Sequence, residues 1–276
     1  MNRLRAWFLA PTWTVMVTLF LAPLAIILAY SLLTRGAYGG LSPPWTAESY
    51  GRLVDPIYFV ILWRSFWIAG LSTVVCLLLG FPLALFISRS GPRKNLYLSL
   101  VILPFWTSFL IRTYAWMFLL RDTGLVNTFL EKLGLIQGPL PLLYNNFAVI
   151  LGLVYGYLPF MVLPLYATLE RLDPNLLEAA ADLGAKPGIT LLRVILPLCE
   201  PGIRAGSILV FIPCLGAYLT PDLLGGGKSV MIGNLIQNQF TTARDWPFGA
   251  AVALVLMAVV MTLLMILAGR DSEDLL

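Results

Sequence analysis

Between Arg64 and Arg89 the chain runs for twenty-four residues without an Asp, Glu, Lys, Arg or His. As a helix rising 1.5 Å per residue, such a run is about 36 Å long. The hydrocarbon core of a bilayer is roughly 30 Å thick and needs about 20 apolar residues to cross. The pattern recurs, and six spans can be read: about 13–33, 61–88, 96–120 (interrupted by Arg112), 147–169, 203–221 and 248–269. A cleaved signal peptide is the rival reading of the first, but its apolar run is too long for a signal h-region. Only 12% of the 276 residues are charged and 59% are hydrophobic. Soluble domains carry about 25% charge, so too little charge exists here to coat a water-facing surface. A soluble enzyme, a disordered regulator and a nucleic-acid binder are thereby excluded. The net charge of +4 sits between apolar runs, not in a patch. The expected fold is all-α: a polytopic membrane protein with six transmembrane helices. It forms a single transmembrane domain over 1–276, since no linker or internal repeat is visible.

Lysines and arginines in short loops set orientation. With the N-terminus inside, the inner segments carry ten: Arg3, Arg5, Arg89, Arg93, Lys94, Arg171, Lys186, Arg193, Arg204 and Arg270. The outer segments carry seven: Arg35, Arg52, Arg64, Arg121, Lys132, Lys228 and Arg244. The sharpest local bias is the 88–95 loop, with three positive residues and no acid. Six spans then place both termini on the cytoplasmic side.

With no histidine, imidazole metal ligands, general bases and proton relays are all absent. Cys76, Cys199 and Cys214 fit no metal or CxxC spacing and read as small buried hydrophobes. No metal site is expected. Prolines at 23, 82, 104, 159, 164 and 213 punctuate the spans and bend them. Gly152 with Gly156, and Gly202 with Gly206, are small-xxx-small pairs that let helices approach. Residues 225–229, Gly-Gly-Gly-Lys-Ser, imitate the end of a phosphate-binding loop, but Asp222 stands where its first glycine belongs. A glycine-rich turn is the expectation there. The outer segments 34–60, 121–146 and 222–246 are too short to capture a solute.

The 170–204 loop is different in kind. Asp173 followed by Pro174 is a helix start, a side-chain cap with proline at the first helical position. Leu176, Leu177, Ala180, Ala181 and Leu183 give an apolar stripe, and Gly184 ends the helix. Pro187 opens a second short helix with Ile189, Leu192, Val194 and Ile195 as its apolar positions. Such helices can simply lie on the bilayer. The spacing favours another reading: Glu178-Ala179-Ala180, Gly184, Val194 and Leu196-Pro197 resemble the EAA signature of permease subunits of bacterial binding-protein-dependent ABC importers, with valine at 194 for the usual isoleucine. Residues 103–117, 152–166, 221–234 and 244–251 extend the likeness over nearly the whole chain. They resemble the B-type permease of spermidine/putrescine importers.

That resemblance implies a type I ABC importer transmembrane fold in the bacterial cytoplasmic (inner) membrane. It implies a second homologous permease subunit, two cytoplasmic ABC ATPase subunits and an extracytoplasmic substrate-binding protein. ATP and Mg would sit on the ATPase subunits, with no cofactor and no catalytic residue on this chain. The loop would dock on an ATPase: Ala179 and Ala180 permit close approach, Gly184 makes the bend, and Glu178 pairs with a basic group there or caps local backbone. A polyamine cargo calls for aromatic faces and carboxylates. The candidates are Trp106, Tyr114, Trp116, Tyr155 and Tyr157, with Asp222 and Asp245 at the outer mouth, the latter set beside Arg244 as a possible partner. Arg112 cuts the other way, because a pathway arginine welcomes an anion such as an opine or organic acid; near the outer end of its span it is read as structural. An ion-coupled secondary transporter would need ionisable groups inside the spans, and Asp, Glu, His and Lys are absent there.

Overall fold

The computed structural model describes residues 2–273, and the side chains of 10–266. Both chain ends, and the side chains of Arg3, Arg5 and Arg270 in the charge balance, lie outside the described residues. The chain opens with the helix α1 (Asn2–Ser31), followed by a hairpin of β1 (Leu33–Arg35) and β2 (Leu41–Trp45) and the short α2 (Glu48–Arg52). A long α3 (Pro56–Ser88) leads into α4 (Lys94–Ile102), α5 (Phe109–Leu120) and α6 (Leu125–Lys132). Then come α7 (Asn146–Glu170), α8 (Pro174–Asp182) and α9 (Pro187–Thr190). A π-helical turn at Leu191–Ile195 separates α9 from α10 (Leu196–Leu198). The last elements are α11 (Glu200–Leu215), α12 (Leu219–Gly225), α13 (Ile232–Phe240) and α14 (Trp246–Glu273). Among the described residues four helices are long and apolar enough to cross a membrane, or up to six spans if each of two bent helix pairs counts as one.

The bent pairs correct two expected spans. The third, expected as one helix over 96–120, breaks at Thr107 and Ser108, and its halves meet at 89°. Pro104 has no N–H to donate. Thr107 is extended (φ −89°, ψ 148°) and its hydroxyl donates to the Pro104 carbonyl at 2.7 Å, a local bond that competes with the helix. The fifth, expected over 203–221, begins earlier, at Glu200, and ends at Leu215 against Gly216; α12 is a separate helix. A 68° bend separates Pro187–Leu198 from α11. Gly226 and Gly227 take left-handed φ values of 55° and 77°, so the glycine-rich segment is a turn at the end of α12. The β-hairpin is an addition that the all-α reading did not include.

Two compact units emerge, one of residues 1–60 with 235–276 and one of residues 61–234. In the first, α1 packs along α14 and the hairpin lies against the start of α14. In the second, α7 is the central element, with twelve buried residues, and packs most extensively on α11. The glycines make that approach possible. A Cβ on Gly202 would sit 2.5 Å from Thr168 Oγ1 and 2.9 Å from the Pro164 carbonyl oxygen. One on Gly206 would sit 2.8 Å from Met161 Sδ. Gly152 faces Thr220 and Leu224 of α12, and Gly156 faces Phe109 of α5. In lipid, helix association depends on such close packing, because burying apolar surface against apolar solvent gains little.

Candidate functional site

The 173–197 segment folds as a helix–glycine–helix knuckle. Asp173 caps α8 by accepting from the Asn175 amide at 3.0 Å, with Pro174 at the first position. At the other end the Ala185 amide donates to Ala180 O (3.0 Å) and the Gly184 amide to Ala181 O (2.8 Å). That reciprocal pair is a Schellman cap, which needs a left-handed residue where Gly184 sits at φ 76°. Past Pro187 the helix widens into the π turn. Pro197 cannot donate to Arg193, and its ring would strike that carbonyl; the Leu196 amide instead reaches back five residues to Leu191 O. Val194 thus lies on a π turn, a feature common at functional positions.

The knuckle shows a split surface. Ala180 and Ile195 are buried, whereas Glu178, Ala179, Gly184, Leu196 and Pro197 are exposed and Val194 is half-buried. Leu183 is 88% exposed and Leu192 65%, with Leu176 and Ile189 also open. Of the expected apolar stripe on α8, therefore, only Ala180 is buried and Leu177 half-buried. Four large aliphatic side chains are thus left uncovered on one small element. Beneath the knuckle a cavity of about 280 Å³ is lined by Leu85, Leu169, Leu172, Leu177 and Ile195, with Arg89 and Glu170 at its edge. Glu170 of α7 is ion-paired with Lys94 of α4.

The aromatic candidates separate. Trp116 and Tyr155 meet edge to face at 5.5 Å between centroids. Tyr157 joins a cluster with Phe109 (6.4 Å) and Phe160 (6.2 Å), and Phe105 meets Phe160 edge-on at 5.1 Å. The guanidinium of Arg112 lies over Phe105 at 4.8 Å and Phe109 at 5.7 Å. Its Nε and Nη1 are buried and donate to no partner among the described residues. Tyr114 and Trp106 are exposed, Trp106 at 84%.

A family model for the inner membrane component of binding-protein-dependent transport systems matches residues 76–270. The chain belongs to that family. A spermidine/putrescine transport system permease protein, PotB, from Haemophilus influenzae is 43% identical over 273 residues, covering 99% of this chain and 95% of the relative. PotB of Escherichia coli K12 is 44% identical over 252 residues, covering 91% of each. Among solved structures, a bacterial ABC transporter involved in import of the acidic polysaccharide alginate aligns with a TM-score of 0.73, covering 99% of this chain and 97% of its own. At 18% identity that likeness concerns the fold, which is the importer-permease fold.

Within this permease the two acidic candidates have different surroundings. Asp222 stands exposed on α12. Asp245 is 2% exposed, and its carboxylate accepts from Arg52 Nη1 at 2.7 Å and from the Phe248 amide at 3.3 Å. Its ionic partner is thus Arg52, not the neighbouring Arg244. The Arg52 guanidinium lies 4.2 Å from the Phe248 ring centroid. Burial opposes its charge, but the hydrogen bond and attraction of Asp245 outweigh that and raise its pKa. Sequence reading missed Arg52 as a partner because 193 residues separate the pair. It missed Phe105 and Phe109 around Arg112 as well. Phe109 lies three residues before Arg112 on one helix face and was findable; Phe105 lies across the Thr107–Ser108 break and was not.

Proposed function

We propose that this permease carries polyamines of the spermidine/putrescine class across the bacterial inner membrane, driven by cytoplasmic ATPase subunits through the 173–197 knuckle. Two observations support it: 43–44% identity with PotB proteins over almost the whole chain, and a knuckle whose aliphatic side chains stand uncovered. The pathway is completed by a second, homologous permease subunit, and an extracytoplasmic binding protein delivers the solute. This chain hydrolyses nothing; ATP and Mg bind the ATPase pair, whose closure moves the docked knuckles together and turns the bent spans from inward-open to outward-open. Both termini and the knuckle face the cytoplasm, following the positive bias of the 88–95 loop. Glu178, Ala179, Ala180 and Gly184 with Val194, Leu196 and Pro197 form the docking element. Trp116 with Tyr155, Tyr157, Tyr114 and Trp106 offer cation–π faces, and Asp222 an outer carboxylate. Asp245, already paired with Arg52, braces the outer segments.

A second reading, an organic-anion cargo, is favoured by Arg112 alone, whose guanidinium has free donors in the span. The deciding experiment is uptake by proteoliposomes holding the whole importer with its binding protein. ATP-dependent accumulation of labelled spermidine or putrescine is expected. Accumulation of an organic acid with no polyamine uptake overturns the cargo assignment.

A further inference from the structure

The corner joining α3 to α4 carries Arg89, Arg93 and Lys94 within six residues. Lys94 is ion-paired with Glu170. Arg89 and Arg93 are exposed, and neither has an acidic partner among the described residues. They stand at the rim of an open cavity of about 530 Å³ whose wall below is apolar: Pro82, Leu85 and Phe86 of α3, and Tyr97 of α4. Phe86 and Tyr97 meet at 5.2 Å between ring centroids and form its back. Pro82 to Arg89 is seven residues, about 10 Å along a helix axis. The wall therefore begins inside the candidate span Pro56–Ser88 and ends one residue beyond it. Two guanidinium groups with no acidic partner among the described residues thus stand beside an aromatic and aliphatic recess at the end of a candidate membrane span.

From this profile we infer an anionic phospholipid site, with the phosphate held by Arg89 and Arg93 and the upper acyl chain laid against Pro82, Leu85 and Phe86. Charge and depth choose the occupant. A guanidinium pair matches a phosphate by parallel donors, and each basic residue near an anionic membrane surface adds to the attraction. A soluble acidic partner supplies the charge but nothing for the apolar wall, which lies at acyl depth. Arg89 also lines the cavity beneath the knuckle. A bound headgroup therefore braces the α3–α4 corner next to the coupling element, and lipid composition becomes a setting for coupling.

The test uses the full-length chain in mild detergent, titrated with dioleoyl phosphatidylglycerol or dioleoyl phosphatidylcholine and read by native mass spectrometry. Wild type is expected to prefer phosphatidylglycerol by at least about tenfold. Arg89→Gln with Arg93→Gln should abolish the preference, Arg89→Lys with Arg93→Lys should keep most of it, and Arg121→Gln should leave it unchanged. The lysine variant guards against misfolding as the cause. Undiminished preference in the double glutamine variant overturns the inference. So does full displacement by excess inorganic phosphate, which would mark a free-anion site. Normal lipid binding with lost ATPase co-purification would instead assign the arginines to a protein interface and also overturn it. The site rests on the chain's place in the membrane and not on its cargo, so a failed polyamine assay leaves it standing.

Discussion

Asp245 and Asp222 are both acids of the expected outer mouth, yet they should behave oppositely when neutralised. Asp245→Ala removes the Arg52 ion pair and the acceptor of the Phe248 amide together. Arg52 is 42% exposed, so water screens part of the loss. A destabilisation of about 2 kcal/mol is expected, visible as a lower melting temperature in detergent. Asp222→Asn touches no such network and should leave melting unchanged, while weakening spermidine uptake if an exposed carboxylate at the mouth attracts the cation. Equal melting of the two variants would remove the structural assignment of Asp245. Arg112 poses the opposite problem, a guanidinium with buried donors that only ring faces compensate. Arg112→Lys keeps the charge but loses the planar stack on Phe105 and Phe109. It should lower stability if the role is structural, and measured cargo affinity should change little.

At the scale of elements the knuckle and the α7–α11 pair make separable demands. Gly184→Pro removes the amide that bonds to Ala181 O and imposes a negative φ where the chain needs 76°. Gly184→Ala meets open space and costs only the left-handed penalty of about 1 kcal/mol. The proline variant should therefore stay in the membrane yet lose transport and ATPase co-purification, while the alanine variant should be partly active. Glu178→Lys should match the proline variant. Wild-type uptake in both would remove the coupling role of the knuckle. Gly202→Val acts elsewhere, forcing a side chain into Thr168 and the Pro164 carbonyl. Overpacking of this kind costs about 1–3 kcal/mol and should appear as reduced folded yield. The helix starts and stops of the knuckle were legible from Asp173, Pro174 and Gly184, because caps act through one or two local hydrogen bonds. The break at Thr107–Ser108 was not. Pro104 is visible, but whether the span bends or divides there depends on what takes up the carbonyls at the break, and the Pro104 carbonyl accepts from the Thr107 hydroxyl three residues on.

For the whole molecule, the proposal makes the chain a gate driven from outside itself. Purified alone in vesicles it should accumulate no polyamine; with its partners, uptake should follow ATP. A cysteine placed at Asp182 should react with impermeant maleimide only from the cytoplasmic side. Cys76, Cys199 and Cys214 are each 0% exposed and give little background. Labelling from the periplasm would invert the topology and end the coupling assignment. What the amino-acid order determined by itself was the solvent and the local joints. Twenty-four uncharged residues demand lipid, and the Asp-Pro to Gly spacing specifies a capped helix, because both depend on neighbours a few residues away. What only the tertiary structure decided were the pairings at a distance. Arg52 meets Asp245 across 193 residues, two glycines seat on Met161 and Thr168, and an aromatic cradle forms across a broken helix. Nothing in periodicity carries these, since chain distance says nothing of which surfaces the folded helices bring within bonding reach.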